Sequence, residues 1–290
     1  MEGAVIIGNG RCTGAIHGVQ ATPLRQRRAD HSSHRIRQNA AMAAESPTRP
    51  PPPSIDKAWA LFLDVDGTLL SFATEPSAVV VEPALRASLE HAHRHLGGAV
   101  ALISGRPLAT LDRLFAPLQL PAAGLHGLER RNGDRQSAPV VAPDALHRIR
   151  AEAEALSARL PGTIVEDKGV ALGLHWRAAP QHGPQLRAFA DAALPRLPGY
   201  RLQPGDHVVE LRPAGADKGD AIAALLEQPP FRGRTPVFVG DDLTDEHGFA
   251  VVNARHGLSV LVGTREPSAA HYTLPDVAAV HAWLEDALPA

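Results

Sequence analysis

The chain has almost no cysteine: Cys12 is the only one, and it lies close to the start. That scarcity excludes a disulfide scaffold, a cysteine-built zinc cluster and a cysteine nucleophile in the body of the protein. No run approaches the ~18 consecutive apolar residues of a membrane-spanning helix. Charge of one sign is not in excess either. The net charge of −2 leaves no electrostatic footprint for nucleic acid or a membrane surface. No internal repeat is evident. What remains is a chain of 290 residues with 44% apolar content, enough for a core and for one large or two ordinary domains.

The first 54 residues differ in composition from the rest. They hold seven arginines (Arg11, Arg25, Arg27, Arg28, Arg35, Arg37, Arg49) against three acids, and end in Pro50-Pro51-Pro52-Pro53. With no periodicity and no apolar face, they read as a disordered extension, residues 1–54, with a polyproline spacer. Val5-Ile6-Ile7 is too short for a signal-peptide core. Met42 shortly precedes the patterned region, and a start of translation there would account for the odd composition before it.

The stretch Leu61-Phe62-Leu63-Asp64-Val65-Asp66-Gly67-Thr68 is the most informative. An apolar run, Trp59 to Leu63, reads as a buried strand. Two aspartates follow, two residues apart, and Gly67 turns the backbone. Carboxylates at the carboxyl end of a strand sit where open α/β sheets bind ligands. Buried without partners they are costly, so they call for a cation or hydrogen bonds. The simplest chemistry is Mg²⁺-assisted phosphoryl transfer with Asp64 as nucleophile. The plainer alternative is that Asp64 and Asp66 only cap a turn before a helix.

From Ile55 onward, strand-like and helix-like patterns alternate. Strands are expected at 59–63, 99–103, 121–126, 236–239 and 259–262, and helices at 83–95, 108–115, 217–226, 244–251 and 277–287. Such alternation predicts a Rossmann-like parallel sheet with right-handed crossovers, formed by residues 55–137 and 214–290. Its polar strand ends fall on one edge. Residues 138–213 behave differently: two helices accompany strand-like segments near 163–168, 169–177, 200–202 and 207–212. Their alternation suits an inserted α+β layer with one exposed face, covering the active edge. His91, His93 and His95 lie on a helix at a spacing that points them apart, and read as a solvated face.

Four pieces recur in order: Asp64-Val65-Asp66-Gly67-Thr68, Ser104, Lys218 and Gly240-Asp241-Asp242-Leu243-Thr244-Asp245-Glu246. Together they resemble the haloacid dehalogenase superfamily of phosphatases. Ala101-Leu102-Ile103-Ser104-Gly105-Arg106, Gly124-Leu125-His126-Gly127-Leu128-Glu129-Arg130-Arg131 and Leu172-Gly173-Leu174-His175-Trp176-Arg177 narrow the resemblance to the trehalose-phosphatase family. It spans residues 58 to 286.

The resemblance implies a core of that superfamily with a cap of the C2 type, and a phosphoric monoester hydrolase acting on trehalose 6-phosphate with Mg²⁺. A phosphate monoester is a dianion, so an anionic nucleophile needs its repulsion cancelled. Asp64 would attack phosphorus and Asp66 would serve as general acid and base, carrying a proton while Asp64 does not. Asp64, the Asp66 carbonyl and Asp241 would hold Mg²⁺, with Asp242 and Asp245 holding its waters or orienting Lys218. Ser104, Gly105 and Lys218 would bind the phosphoryl group. Glu166, Lys168 and Glu210 would contact the distal sugar, followed by Arg106, His126, Glu129, His175 and Arg177. The expected setting is a cytoplasmic monomer with a small sugar phosphate as its partner. Alternatives are a sucrose-phosphate or mannosyl-phosphoglycerate phosphatase of the same cap type, or a catalytically idle regulatory domain.

Overall fold

The computed structural model describes residues 49–72, 79–137 and 142–286. The expectation of disorder for residues 1–48, and the boundary drawn at 138, lie outside them. Residues 49–53 are within, and they are not a loose spacer. The Arg49 guanidinium donates to the main-chain oxygens of Ser268 and Ala270 at 2.9 and 2.8 Å. Pro50 O accepts the Thr273 N–H, and Pro53 O accepts the Trp283 indole N–H. Proline has no amide hydrogen to pair, but its carbonyl accepts normally, so the run docks through its oxygens.

The larger sheet begins with β1 (Trp59–Leu63), entirely buried, followed by α1 (Pro83–His95), β2 (Val100–Ile103), α2 (Leu108–Phe115) and β3 (Ala122–Gly124). The chain then turns back into β4 (Glu129–Asn132) and β5 (Arg135–Gln136). The smaller sheet comes next: α3 (Asp144–Ser157), β6 (Ile164–Asp167), β7 (Leu172–His175), α4 (Gly183–Ala193), β8 (Tyr200–Gly205) and β9 (Val208–Pro213). The chain returns to the first sheet through α5 (Lys218–Leu226), β10 (Thr235–Gly240), α6 (Glu246–Ala254), β11 (Leu258–Val262), β12 (Tyr272–Leu274) and α7 (Val277–Asp286).

The eight strands run in the order β12-β11-β10-β1-β2-β3-β4-β5, and the five pairings from β12 through to β3 are parallel. The continuous Val, Leu and Phe runs of β1 and β10 suit strands covered by helices on both faces. Pairing is antiparallel from β3 to β4 and from β4 to β5, so the sheet is mixed rather than all parallel. The expected strand 121–126 stops at Gly124 because Leu125 and His126 turn into the left-handed region, with φ of 50° and 53°.

The second sheet, in the order β6-β7-β9-β8, is antiparallel throughout. It carries its own apolar cluster, in which Leu146 and Ile149 of α3 and Leu186 and Ala190 of α4 pack on Leu172, Leu174, Val209 and Leu211. The larger core forms a separate cluster around Phe62, Phe231, Phe238 and Phe249. The polar face of β9 is not solvent-exposed, contrary to its alternation: Glu210 is 7% and Arg212 1% accessible. Alternation marks two chemically different faces, and here the polar one is covered by the first sheet's strand ends. His91, His93 and His95 are each partly buried rather than freely solvated. Burial lowers the proton affinity of His93. Among the described residues no potential metal-holding group includes them.

Candidate active site

Parallel register brings the motif residues together. Leu63 pairs with Val239 on one side and Leu102 on the other, so β1, β2 and β10 end level. The Asp64 N–H continues the ladder to Val239 O at 2.9 Å, and Ser104 N–H reaches Ala123 O at 2.8 Å. Beyond Asp64 the chain folds into a tight turn, with Leu69 and Leu70 N–H both on Val65 O. Gly67 sits at φ +88°, and a Cβ there would overlap the Asp241 carboxylate. Glycine is therefore needed both for the turn and for the approach of Asp241.

Lys218 opens α5 behind an Asp217–Asp220 capping box, which fixes where its side chain starts. Its ammonium donates to Asp64 Oδ1 and to Asp245 Oδ1, each at 2.7 Å, in a buried setting. Burial alone would lower the proton affinity of Lys218, but Asp245 and Asp64 outweigh it and raise it. Asp245 is fully buried, and its Oδ2 accepts the Asp241 and Asp242 N–H groups at 2.9 Å each. Of the two residues expected to orient Lys218, Asp245 does so. Asp242 lines the cavity instead.

Asp64, Asp241 and Asp245 each offer a carboxylate oxygen within 4.8 Å of the others. Burial pushes the Asp64 and Asp241 carboxyls well up, helped by Asp245 at both, by Asp66 at Asp64 and by Asp64 at Asp241, and Lys218 offsets only part of this. Three acids around one lysine are short of positive charge, and a divalent cation fits that deficit. Both Asp245 oxygens are already occupied by Lys218 and two amides. The oxygens left to offer a cation therefore belong to Asp64 and Asp241, and the Thr68 hydroxyl donates to Asp241 Oδ1 at 3.3 Å.

Arg106 grips Asp66 at two points, Nε to Oδ2 at 2.7 Å and Nη2 to Oδ1 at 2.6 Å. Arg106, expected on substrate, lines the cavity and there holds the expected acid–base residue. Ser104 is fully buried, and its hydroxyl accepts the Arg106 N–H at 3.0 Å. Gly105 and Arg106 of that turn both lie on the cavity wall, Gly105 against the His126 ring. Glu129 is not on the wall: its carboxylate accepts the Leu108 N–H at 2.8 Å and caps α2.

The second sheet roofs this edge with a charged wall. Lys168 donates to Glu210 in a largely buried pair, and lies 3.6 Å from Glu166. Glu166 Oε2 meets His175 at 2.9 Å, and Glu210 Oε2 meets His126 of the larger sheet at 3.2 Å. Burial would raise the Glu210 carboxyl, yet Lys168 and His126 hold it far below the usual range. Glu166 is likewise held down, against burial, by His175 and Lys168. Burial pushes His126 down, and its left-handed backbone is fastened by N–H to Ser104 O at 2.9 Å. Arg177 lines the cavity too, 4.5 Å from the Phe72 ring and 2.8 Å from Asp206.

Some wall and support residues carry no motif. Phe72, Asp206 and Gln203 line the cavity from loops and a strand without signature spacing. Arg212 donates to Leu125 O at 3.2 Å and Ala216 O at 2.7 Å, tying the roof's last strand to the lower sheet. Arg265 follows the carboxyl end of β11, and the strand-end rule that found Ser104 would have found it.

Comparison with known proteins agrees with this geometry. A trehalose-phosphatase family model matches residues 62–278. A Sinorhizobium fredii protein named probable trehalose-phosphate phosphatase is 48% identical over 212 residues, 73% of this chain and 80% of its own. An Escherichia coli K12 protein named trehalose-6-phosphate phosphatase is 44% identical over 234 residues, 80% of this chain and 88% of its own. The solved C-terminal domain of a C. albicans trehalose-6-phosphate phosphatase matches at TM-score 0.67 and 20% identity, over 81% of this chain and 97% of that one. The likeness to solved structures shows the fold, a Rossmann-like, haloacid dehalogenase-like α/β core carrying a cap. Within that fold, the chain belongs to the trehalose-phosphatase family.

Proposed function

We propose that the protein hydrolyses trehalose 6-phosphate to trehalose and inorganic phosphate, with Mg²⁺ and through a phosphoryl group carried on Asp64. The observation that carries the reading is a cation-deficient carboxylate cluster, Asp64 and Asp241 braced by Lys218 and Asp245, beneath a roof of Glu166, Lys168 and Glu210. Residues 142–213 serve as the cap that selects the sugar.

Asp64 and Asp241, with the Asp66 carbonyl, would hold Mg²⁺, which when bound supplies charge neutralisation between nucleophile and phosphate. An Asp64 oxygen attacks phosphorus, and the bond to the sugar O6 breaks. Lys218 orients that carboxylate and faces the transferring phosphoryl charge. Gly105 borders it on the β2 side, with the buried Ser104 hydroxyl holding the turn behind it. Asp66 delivers a proton to the leaving oxygen, then takes one from the water that cleaves the Asp64 phosphoryl bond. Delivery requires Asp66 to turn out of its pairing with Arg106, so that pairing belongs to the state before sugar binding. In the roof, Lys168 and Glu210 present fixed donors and acceptors to sugar hydroxyls, with Glu166, His175 and Arg177 beside them.

The test is phosphate release from a panel of sugar phosphates with and without Mg²⁺, beside Asp64→Asn. Mg²⁺-dependent release from trehalose 6-phosphate, lost in Asp64→Asn, supports the reading. Release from sucrose phosphate or mannosyl-phosphoglycerate but not from trehalose 6-phosphate overturns the substrate and keeps the chemistry. No Mg²⁺-dependent release from any ester overturns both.

A further inference from the structure

The turn that carries Asp241 is held from two sides. On the inner side, the N–H groups of Asp241 and Asp242 both rest on Asp245 Oδ2. On the outer side, the carbonyls of the same two residues are held by an arginine. Arg265 Nε donates to Asp241 O and its Nη2 to Asp242 O, each at 3.3 Å. The same guanidinium pairs with Glu246, the first residue of α6, and its Nη1 reaches Pro267 O at 2.9 Å. Glu246 in turn accepts the Ala269 N–H at 2.8 Å. Arg265 does not line the cavity, and its recorded partners do not include the Asp64 or Asp241 carboxylates.

We propose that Arg265, with Glu246, is a positioning residue for cation binding: it fixes the Asp241–Asp242 peptides and so aims the Asp241 carboxylate beside Asp64. This rests on the cation reading of the site given above. The physical ground is the intolerance of Mg²⁺ for distorted geometry, which makes the orientation of a carboxylate part of the affinity. Donors and acceptors that orient a ligand from behind change metal affinity by about 10–100-fold when removed. Charge at Arg265 is matched by Glu246, and the guanidinium also draws the neighbouring Asp242 carboxyl down against its burial. Arg49 fastens the far side of the same loop through Ser268 O and Ala270 O, which keeps the Arg265 backbone in place.

The test uses the full chain and Mg²⁺ alone as probe. Mg²⁺ affinity is measured by calorimetry for wild type, Arg265→Ala, Arg265→Lys and Glu246→Gln. Arg234→Ala is the control, because Arg234 also holds main-chain oxygens, Lys57 O at 2.7 Å and Trp59 O at 3.2 Å, at the opposite end of β1. The expected result is Mg²⁺ binding weakened about tenfold in Arg265→Ala, partly restored in Arg265→Lys and unchanged in Arg234→Ala. At saturating Mg²⁺, KM for a small aryl phosphate stays at the wild-type value. Should Arg265→Ala fail to fold, Glu246→Gln and Arg265→Lys carry the test, with weakening of about threefold each. Unchanged Mg²⁺ affinity in the Arg265 and Glu246 variants, or equal weakening in Arg234→Ala, overturns the inference while leaving the cation site standing. Absence of Mg²⁺ binding by the wild type overturns the cation reading itself, and this inference with it.

Discussion

The two charged regions facing each other across the cavity are built from similar residues and balanced in opposite ways. Below, Asp64, Asp241 and Asp245 share one lysine, and burial drives the Asp64 and Asp241 carboxyls up. Above, Glu166 and Glu210 share Lys168 and two histidines, and both carboxyls are held down. The lower cluster lacks positive charge, a deficit that a divalent cation fits. The upper one keeps both carboxylates ionised through Lys168 and hydrogen bonds to the two histidines, and its remaining capacity is for hydrogen bonds to a ligand. The phosphate chemistry we propose for the lower region and the sugar readout we propose for the upper one both rest on that contrast.

Removing the only lysine of the lower cluster is the sharpest way to break the comparison. Lys218→Met leaves Asp64 and Asp245 buried without their shared partner. It is expected to cost about 3 kcal/mol in denaturant unfolding without added cation, besides abolishing phosphate release. Retention of wild-type stability would show that the lower carboxylates are not charge-starved. In the roof, Lys168→Ala is expected to raise KM for trehalose 6-phosphate by about 30-fold while changing that for an aryl phosphate by less than about threefold. Steady-state kinetics on the two substrates check it, and equal rises would remove the sugar-reading role.

Acid sharpens the contrast with a smaller effect. The folded Glu210 carboxyl lies below its unfolded value, so the stability it contributes is present above the ordinary glutamate range and is lost as pH falls. The Tm advantage of wild type over Glu210→Gln should therefore be full near neutrality and shrink below about pH 4. A gap independent of pH would mean that Glu210 is not held ionised by Lys168 and His126.

The lower region was legible in the sequence and the upper one only partly, for physical reasons. Alternating buried strands and helices dictate a parallel sheet, and a parallel sheet puts every strand end on one edge. Asp64, Ser104 and Asp241 could thus be brought together without coordinates. Lys218 and Asp245 joined them through helix starts at the same edge. Strands β4, β5 and β12 escaped because they are two to four residues long and carry no alternation. In the roof, the pattern gave the strands but not which face was covered, so Glu210 and Arg212 turned out buried. The contacts of Arg106 and Arg212 were the least legible. Their partners are an aspartate forty residues away and main-chain oxygens, neither of which leaves a spacing in the sequence.

The most direct measurement is the Mg²⁺ dependence of phosphate release by Lys168→Ala, with trehalose 6-phosphate and with an aryl phosphate as substrates. If the two regions divide the work as described, the half-activating Mg²⁺ concentration equals that of wild type on both substrates, and KM rises for the disaccharide alone. A shifted Mg²⁺ requirement on the aryl phosphate would contradict the division between a cation-holding floor and a sugar-reading roof.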